Sequence, residues 1–458
     1  MNEFRPARRN VVVTGIGLIS PLGTTTGQFW EKCMDSKFCA KPVPDQWLEY
    51  AQFSSRLYTP LPEIDFSQFH LSRTERMQFD PCQQLAIAAT IQALKSAGLE
   101  LRQEKERKNT YSIESLNPYR TGVFIGTGSG GISSLISAQM FHTTSPLRQI
   151  LTDMNHAKIT DEIRSSLHKV ENSLRIPARF NPFTVPMMMP NGSASCIGIK
   201  FSFCGPNQTF CSACASGTVA LGHAFKSIVH DEIDCAVCGG VEYLRDEYGG
   251  IFRSFDIAGT LGKGNKAESF CPFDKKRSGF LFSEGGAGIL ILEDENHACK
   301  RNAPVLARIS GYAESFDPYG IMSMEPNGII IEEMLRELLD NLSIKPKDID
   351  YINAHGTGTV SNDSIESSVI ERVFGKETAV NTTKSLIGHT IGACGAIETA
   401  VCVLSIIKQE THGCLNLNEP QLPLNFIKVP GKLKIRRALK QSFAFGGHNA
   451  AIVLERYP

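Results

Sequence analysis

The chain has 458 residues, 42% of them hydrophobic and 21% charged, enough apolar side chain for two or three ordinary domains or one large duplicated one. Lys plus Arg and Asp plus Glu both total 47, so no net field draws the chain to nucleic acid or to an anionic membrane. Fourteen cysteines are too dilute in so long a chain for a secreted disulfide framework. Many sit in apolar runs, such as Cys402 in "TAVCVLSII", where they act as small buried hydrophobes.

The N-terminus, "MNEFRPARRNVVVTGIG", has basic residues but lacks the apolar core and cleavage site of a secretory signal. No run approaches the roughly 20 apolar residues of a membrane span. These features predict a reduced, cytoplasmic, soluble protein with no membrane and no nucleic-acid partner. "RNVVVTGIG" at 9–17 reads as a strand closed by glycine, and "PCQQLAIAATIQALKSAG" at 81–98 as a mostly buried helix ended by Gly98. Residues 102–119 are charged and polar and read as a surface loop. "TGVFIGTGSGG" at 121–131 is a second strand and glycine turn. Residues 133–180 form a long excursion that contains "ITDEIRSSLHKVENSL", an amphipathic helix candidate. "DCAVCGG" and "GAGILILE" read as strands buried on both faces. The alternation predicts α/β architecture, with sheets covered by helices.

The second half repeats the first in order. "LARISGYAESFDP" (306–318) answers "NVVVTGIGLISP" (10–21). The helix "IIIEEMLRELLDNL" (329–342) leads to the strand and turn "IDYINAHGTGT" (349–359), which answers "GVFIGTGSGG". "NQTFCSACASGTVALGHA" (207–224) is answered by "TAVNTTKSLIGHTIGACGAIETA" (378–400), and "SGFLFSEGGAGILILE" (278–293) by "SFAFGGHNAAIVLE" (442–455). No tandem period of about 20–50 residues appears, so the chain is not a solenoid. One duplication accounts for the order: two similar α/β halves, with a site where their turns converge.

Cys211-x2-Cys214 and Cys235-x2-Cys238 have the spacing of a four-cysteine zinc site. "DCAVCGG" is an apolar strand, however, so Cys235 and Cys238 point to opposite faces and cannot clamp one ion. Before Cys214 the residues suit a strand; after it come small, helix-compatible residues from Ala215 to Ala224. That is a strand-to-helix turn, the logic of a nucleophile elbow. The helix end offers free N–H groups and partial positive charge, which stabilise a thiolate and lower its pKa. Cys211, inside the strand, is read as a core residue.

Among eleven histidines, His355 and His389 stand on the duplicated turns. Lys384 precedes His389, and Asp363 and Glu366 follow His355. One Cys with two His suits thioester chemistry: the sulfur accepts an acyl group, and two imidazole N–H donors stabilise an enolate oxygen, as a decarboxylating malonyl thioester requires.

"SACASG", "NAHGTGT", "TKSLIGH" and "SFAFGGHN", in that order, resemble the β-ketoacyl-acyl-carrier-protein synthases of the elongating Cys-His-His type, condensing enzymes of the thiolase superfamily. "RRNVVVTGIGLISPLG" and "CPFDKKRSGFLFSEGGAGILILE" are similar to that family too. The resemblance implies a thiolase fold, a duplicated five-layered αβαβα sandwich, with halves at 1–296 and 297–458 and an insertion at about 133–180. It implies a homodimer served by acyl-carrier protein. It implies no cofactor and no metal, the substrates being carried on phosphopantetheine. Carried over by position, Cys214 is the acyl-accepting nucleophile. His355 and His389 bind the malonyl thioester carbonyl and promote decarboxylation. Lys384 organises His389 and pairs with Glu366. The backbone N–H groups of Cys214 and Phe445 form the oxyanion hole, and Phe445 gates access. Thr357 and Thr359 hold the phosphopantetheine arm, with Phe443 beside them in substrate binding. "LSRTERMQFD" resembles a carrier-docking segment, which makes Arg73 and Arg76 docking candidates or, equally, solvated helix charges.

The chain departs from the family in three places. His448 stands where many members have threonine, and Gly358 where fatty-acid enzymes often have serine and many polyketide ketosynthases have glycine. The excursion at 133–180 is longer than usual, leaving chain length and pathway open. The reaction implied is condensation of an acyl thioester on Cys214 with malonyl-carrier in fatty-acid elongation. Alternatives are a polyketide or secondary-metabolite ketosynthase, a degradative thiolase, a non-catalytic partner subunit and a structural zinc protein. A thiolase would need another cysteine at the C-terminal turn, which reads "FAFGGHNAA". A partner subunit would lack the nucleophile.

Overall fold

The structure is a computed structural model that describes residues 9–155, 160–173 and 181–458. Ten strands build its main sheet: β1 (Val11–Ile19), β2 (Thr121–Gly126), β3 (Asn207–Phe210), β4 (Cys235–Tyr243) and β5 (Gly285–Asp294), then β6 (Ala307–Phe316), β7 (Tyr351–Asn353), β8 (Ala379–Asn381), β9 (Arg437–Phe443) and β10 (His448–Glu455). Their spatial order is β8-β7-β9-β10-β6-β1-β5-β4-β2-β3. Read outward from the centre, each half runs through the same series. In the first half β4, β2 and β3 are parallel neighbours, and β5 is antiparallel to both β4 and β1. In the second, β9, β7 and β8 are parallel, and β10 is antiparallel to both β9 and β6. The halves join where β1 meets β6 antiparallel, Val11 opposite Ile309 and Val13 opposite Ala307.

Helices complete five layers. α1 (Pro81–Ser96) and α2 (Gly192–Lys200) cover the outer face of the first half-sheet. α3 (Ser216–Val229) and α6 (Cys394–Lys408) lie between the half-sheets and touch strands of both. α4 (Ile329–Leu342) and α5 (Val360–Phe374) pack into the core on the outer side of the second half. This is the duplicated αβαβα sandwich of the thiolase fold.

Local sequence accounts for these elements. The Asp80 side chain accepts from Cys82 N at 2.7 Å while the Gln83 side chain accepts from Asp80 N at 3.1 Å, a reciprocal cap that starts α1 at Pro81. Gly98, at φ +68°, follows its end. Glycine is required where α1 lies on β1: a Cβ at Gly17 would stand 2.0 Å from Ala89 O. In β4, Cys235 and Val237 pack into one core and Ala236 and Cys238 into the other, on the opposite face. That alternation separates the second cysteine pair. α6 is buried on every side from Cys394 to Ile406 because it is a middle layer. The stretch Ile391–Lys408 is long and apolar enough to cross a membrane, closer to a span than the sequence reading allowed, yet 89% of it is buried inside the protein.

Two segments differ from expectation or extend it. Residues 102–119 are not a plain loop: Arg102–Gln103 pairs antiparallel with Tyr111–Ser112, and a short 3-10 turn follows at Pro118–Arg120. Within the excursion two helices stand, Ile132–Asn155 and Asp161–Ser173; the rest of the expected helix and residues 174–180 lie outside the described residues.

Candidate active site

Cys214 sits in a one-turn 3-10 helix, Ala213–Ala215, that leads from β3 into α3. Ala213 has φ +45°, a left-handed backbone that an L-residue rarely adopts. The Ser216 hydroxyl holds the turn, accepting from Ser212 N at 2.8 Å and donating to Ala213 O at 2.7 Å. The second half builds the same elbow. Ile391, at φ +46°, opens the turn Ile391–Ala393, which leads into α6. Gly392 takes the place there that Cys214 holds in the first half, and His389 stands at the entry.

The two elbows pack together, so His389 Nε2 lies 3.0 Å from Cys214 Sγ. His389 and His355 meet edge to face with ring centroids 5.5 Å apart. One side-chain donor atom from each of Cys214, His355 and His389 falls within 4.8 Å of the others. Hydrogen bonds behind the rings assign their protons. Ile391 N donates to His389 Nδ1 at 3.3 Å. The Lys384 ammonium, which has only donors, lies 3.3 Å from His355 Nδ1. Both neutral rings therefore carry their proton on Nε2. Burial first, then the nearby Lys384 charge, holds both imidazoles well below their usual pKa. The set could hold a metal by distance, but a neutral imidazole that ligates through Nε2 needs its proton on Nδ1, where both rings face donors.

The lysine network corrects the sequence reading in two respects. Lys384 touches His355, not His389: Nζ donates to His355 O at 2.8 Å as well as facing its Nδ1. Its carboxylate partner is Glu398, with Nζ to Oε1 at 2.7 Å, not Glu366. Burial disfavours the ammonium, but Cys394 and Glu398 outweigh it, and Lys384 stays protonated above its usual range. Glu366 instead accepts from His355 N and Gly356 N, both at 2.7 Å, and from Gln441 Nε2 at 2.7 Å. It holds the backbone under His355. Glu366 lies on α5 in an outer layer and Glu398 on α6 in the middle layer, which explains the exchange.

The thiol also differs from expectation. Burial, with Cys394 beside it, pushes the Cys214 pKa up; Lys384 and the Phe445 N–H pull it down but do not prevail. The helix end faces a buried site, where desolvation of the thiolate outweighs its favourable dipole. Cys211, read as a core residue, lies one residue beyond β3 and is exposed.

A cavity of about 380 Å³ opens over these groups, lined by Cys214, His355, His389, Thr357, Thr359, Phe443 and Phe445 among others. Thr357 and Thr359 share a hydroxyl hydrogen bond of 3.0 Å. Phe443 meets the His355 ring edge to face at 5.9 Å. Phe445, Met322 and Ala258 also line a second cavity of about 740 Å³, whose walls include Ile132, Ile136, Ile251 and Phe255. Phe445 thus stands where the two spaces meet. Arg73 and Arg76 are exposed on the short helix Arg73–Gln78 and line neither cavity.

Sequence reasoning missed Glu398 and Glu242. Glu242 ends an apolar run on β4 and accepts from Gly128 N at 2.7 Å, Ser129 N at 3.1 Å and Gly392 N at 2.9 Å, tying the turn after β2 to the second elbow. Burial raises its pKa to about 7. The available signal was a lone carboxylate in each otherwise apolar element, since an unpaired charge is almost never fully buried.

Similarities to known proteins follow the same geometry. A family model described as "Beta-ketoacyl synthase, N-terminal domain" matches residues 8–297, and "Beta-ketoacyl synthase, C-terminal domain" matches 306–418. The chain is 31% identical to "3-oxoacyl-(acyl-carrier-protein) synthase 2" of Synechocystis sp., over 98% of this chain and 99% of that protein. It is 30% identical to the protein of the same name from Coxiella burnetii, with the same coverage. A β-ketoacyl synthase from Burkholderia phymatum superposes with TM-score 0.80 at 26% identity, over 98% of this chain and all of that one. A ketosynthase complex described as a type II PKS acyl-carrier protein with its ketosynthase bound to the hexaketide gives TM-score 0.79 at 25% identity, over 99% of this chain and 100% of that one.

Proposed function

From the premise that the chain belongs to the β-ketoacyl synthase family, we propose that it performs the elongating step of fatty-acid synthesis on acyl-carrier protein. Cys214 Sγ attacks the thioester carbonyl of an acyl-carrier, and the carrier thiol leaves with the proton. Malonyl-carrier then enters the emptied arm site along Thr357 and Thr359. Its carboxylate leaves as carbon dioxide, and the Nε2–H groups of His355 and His389 hold the enolate oxygen. The enolate carbon attacks the acyl-Cys214 carbonyl, whose oxygen takes hydrogen bonds from the backbone N–H groups of Cys214 and Phe445. Collapse expels the Cys214 thiolate, which regains a proton, and releases a 3-ketoacyl-carrier two carbons longer. The chemistry balances without a dissociable cofactor.

The observation that carries this reading is the pair of buried, neutral Nε2–H imidazoles converging on one sulfur. Such donors in a water-poor site favour a developing enolate over a neutral carbonyl. A cysteine protease would use one histidine. The 740 Å³ apolar space beyond Phe445 takes the acyl chain. A polyketide ketosynthase would share these residues. Identity of 30–31% over 98% of the chain to proteins named 3-oxoacyl-(acyl-carrier-protein) synthase 2 favours the elongation reading.

The fourteen cysteines are all unpaired, which supports a reducing, cytoplasmic setting. A homodimer is supported by β3, a sheet edge with β2 as its single strand neighbour, which a second copy would extend. Arg73 and Arg76 remain the docking candidates for an acidic carrier.

Cys214→Ala tests the assignment. The variant is expected to lose acylation, seen by intact mass, and to form no 3-ketoacyl product, while malonyl-carrier decarboxylation persists because both histidines remain. Chain extension by the variant would overturn the reading.

A further inference from the structure

Lys440 is fully buried in β9, where Gln441 and Ser442 follow it, with Asn353 opposite it on β7. Its Nζ donates to Gln441 O and lies 2.8 Å from Glu398 Oε2 as an ion pair without a hydrogen bond, and the other carboxylate oxygen of Glu398 accepts from Lys384 Nζ at 2.7 Å. Two buried ammonium groups therefore share one buried carboxylate. The next link is the 3.3 Å approach of Lys384 to His355 Nδ1. The following residue, Gln441, faces the other side of β9 and holds Glu366, which accepts the His355 N–H. Consecutive residues of one strand thus brace both carboxylates that fix His355, one through its ring and one through its backbone.

A cluster of two cations and one anion is a costly way to fill a core, since each buried charge must be desolvated. Glu398 already has a cation in Lys384. Removing Lys440 would leave a neutral one-to-one pair, so stability does not explain the second lysine.

We propose that Lys440 is a positioning residue for the decarboxylation step. Its charge stands against the second oxygen of Glu398, so the carboxylate is held between two ammonium groups, and Lys384 keeps a donor aimed at His355 Nδ1. That donor holds the His355 proton on Nε2, where the enolate oxygen needs it. The inference rests on the condensation reading above and adds a residue to it.

Lys440→Met tests it in the full-length protein, with the two half-reactions measured separately. Malonyl-carrier decarboxylation is expected to fall about tenfold to a hundredfold, the usual loss when a supporting contact behind a functional histidine is removed, while acylation of Cys214 stays within about threefold. The thermal midpoint is expected to stay level or rise. Lys440→Arg, which keeps the cation beside Glu398, is expected to recover part of the decarboxylation rate. Equal losses in both half-reactions, no loss in either, or failure of both variants to fold would each make the lysine merely structural and overturn the proposal. If the unaltered protein does not decarboxylate malonyl-carrier, the condensation reading itself fails.

Discussion

Two imidazoles in one cavity raise the question of which protonation state does the chemistry. Both are held below the usual histidine value, first by burial and then by Lys384. A free histidine titrates near ~6.5; these two stay neutral there, with Nε2 protonated. Malonyl-carrier decarboxylation is therefore expected to be flat between about pH 6 and about pH 8, where unperturbed imidazoles would titrate. An ionisation limb inside that window, in the rate of carbon dioxide release, would contradict the assignment. The linkage has a definite sign. Unfolded imidazoles accept protons that the folded ones refuse, so these groups remove stability as pH falls through ~6.5 and restore it as pH rises.

At the scale of elements, the site is two copies of one strand-to-helix elbow, and each copy places a non-glycine residue at positive φ, Ala213 at +45° and Ile391 at +46°. For alanine the left-handed conformation costs about 1–2 kcal/mol, while glycine there brings an unfolded-state entropy cost of about 0.5–1 kcal/mol. Ala213→Gly is thus expected to stabilise by up to about 1 kcal/mol. Ala213→Val, β-branched in the same conformation, is expected to lose about 1–3 kcal/mol. Urea unfolding midpoints at constant slope would read both; a valine variant as stable as the parent would show that the elbow is unstrained. The elbows were legible because small residues after Cys214 and around His389 appear in matching order in both halves. Glu398 was not. Choosing between Glu366 and Glu398 as the partner of Lys384 requires knowing that α6 is a middle layer and α5 an outer one, and both helices follow a histidine turn in sequence. Lys440 was hidden for a related reason: its meaning depends on which helix crosses β9, and a strand's own pattern does not state that.

Across the whole molecule, the duplication has diverged at the elbows: one carries Cys214 and the other Gly392, with His389 brought to the sulfur by close packing of the two middle-layer helices. That approach is set by glycines. A Cβ at Gly395 would stand 2.2 Å from Thr218 Oγ1 and 2.8 Å from Thr218 N, and one at Gly217 would stand 2.9 Å from Ala396 N. Because backbone lies in the way, α3 and α6 must separate to admit a methyl group. Gly395→Ala is expected to cost about 1–3 kcal/mol of stability, the range for overpacking a filled core. The larger effect is on catalysis, because separating the helices also separates Cys214 from His389. A misplacement on the order of 1 Å is expected to slow condensation by up to about a hundredfold. Gly27 supplies the control. It lies in the first turn of the helix Thr26–Met34, and a Cβ there meets nothing within 4 Å. Gly27→Ala is expected to leave condensation unchanged and to stabilise by about 0.5 kcal/mol through helix propensity. Measured side by side, the two alanines separate backbone propensity from the spacing of the halves. If Gly395→Ala condenses acyl chains as fast as Gly27→Ala, the contact between α3 and α6 does not set the distance between sulfur and imidazole.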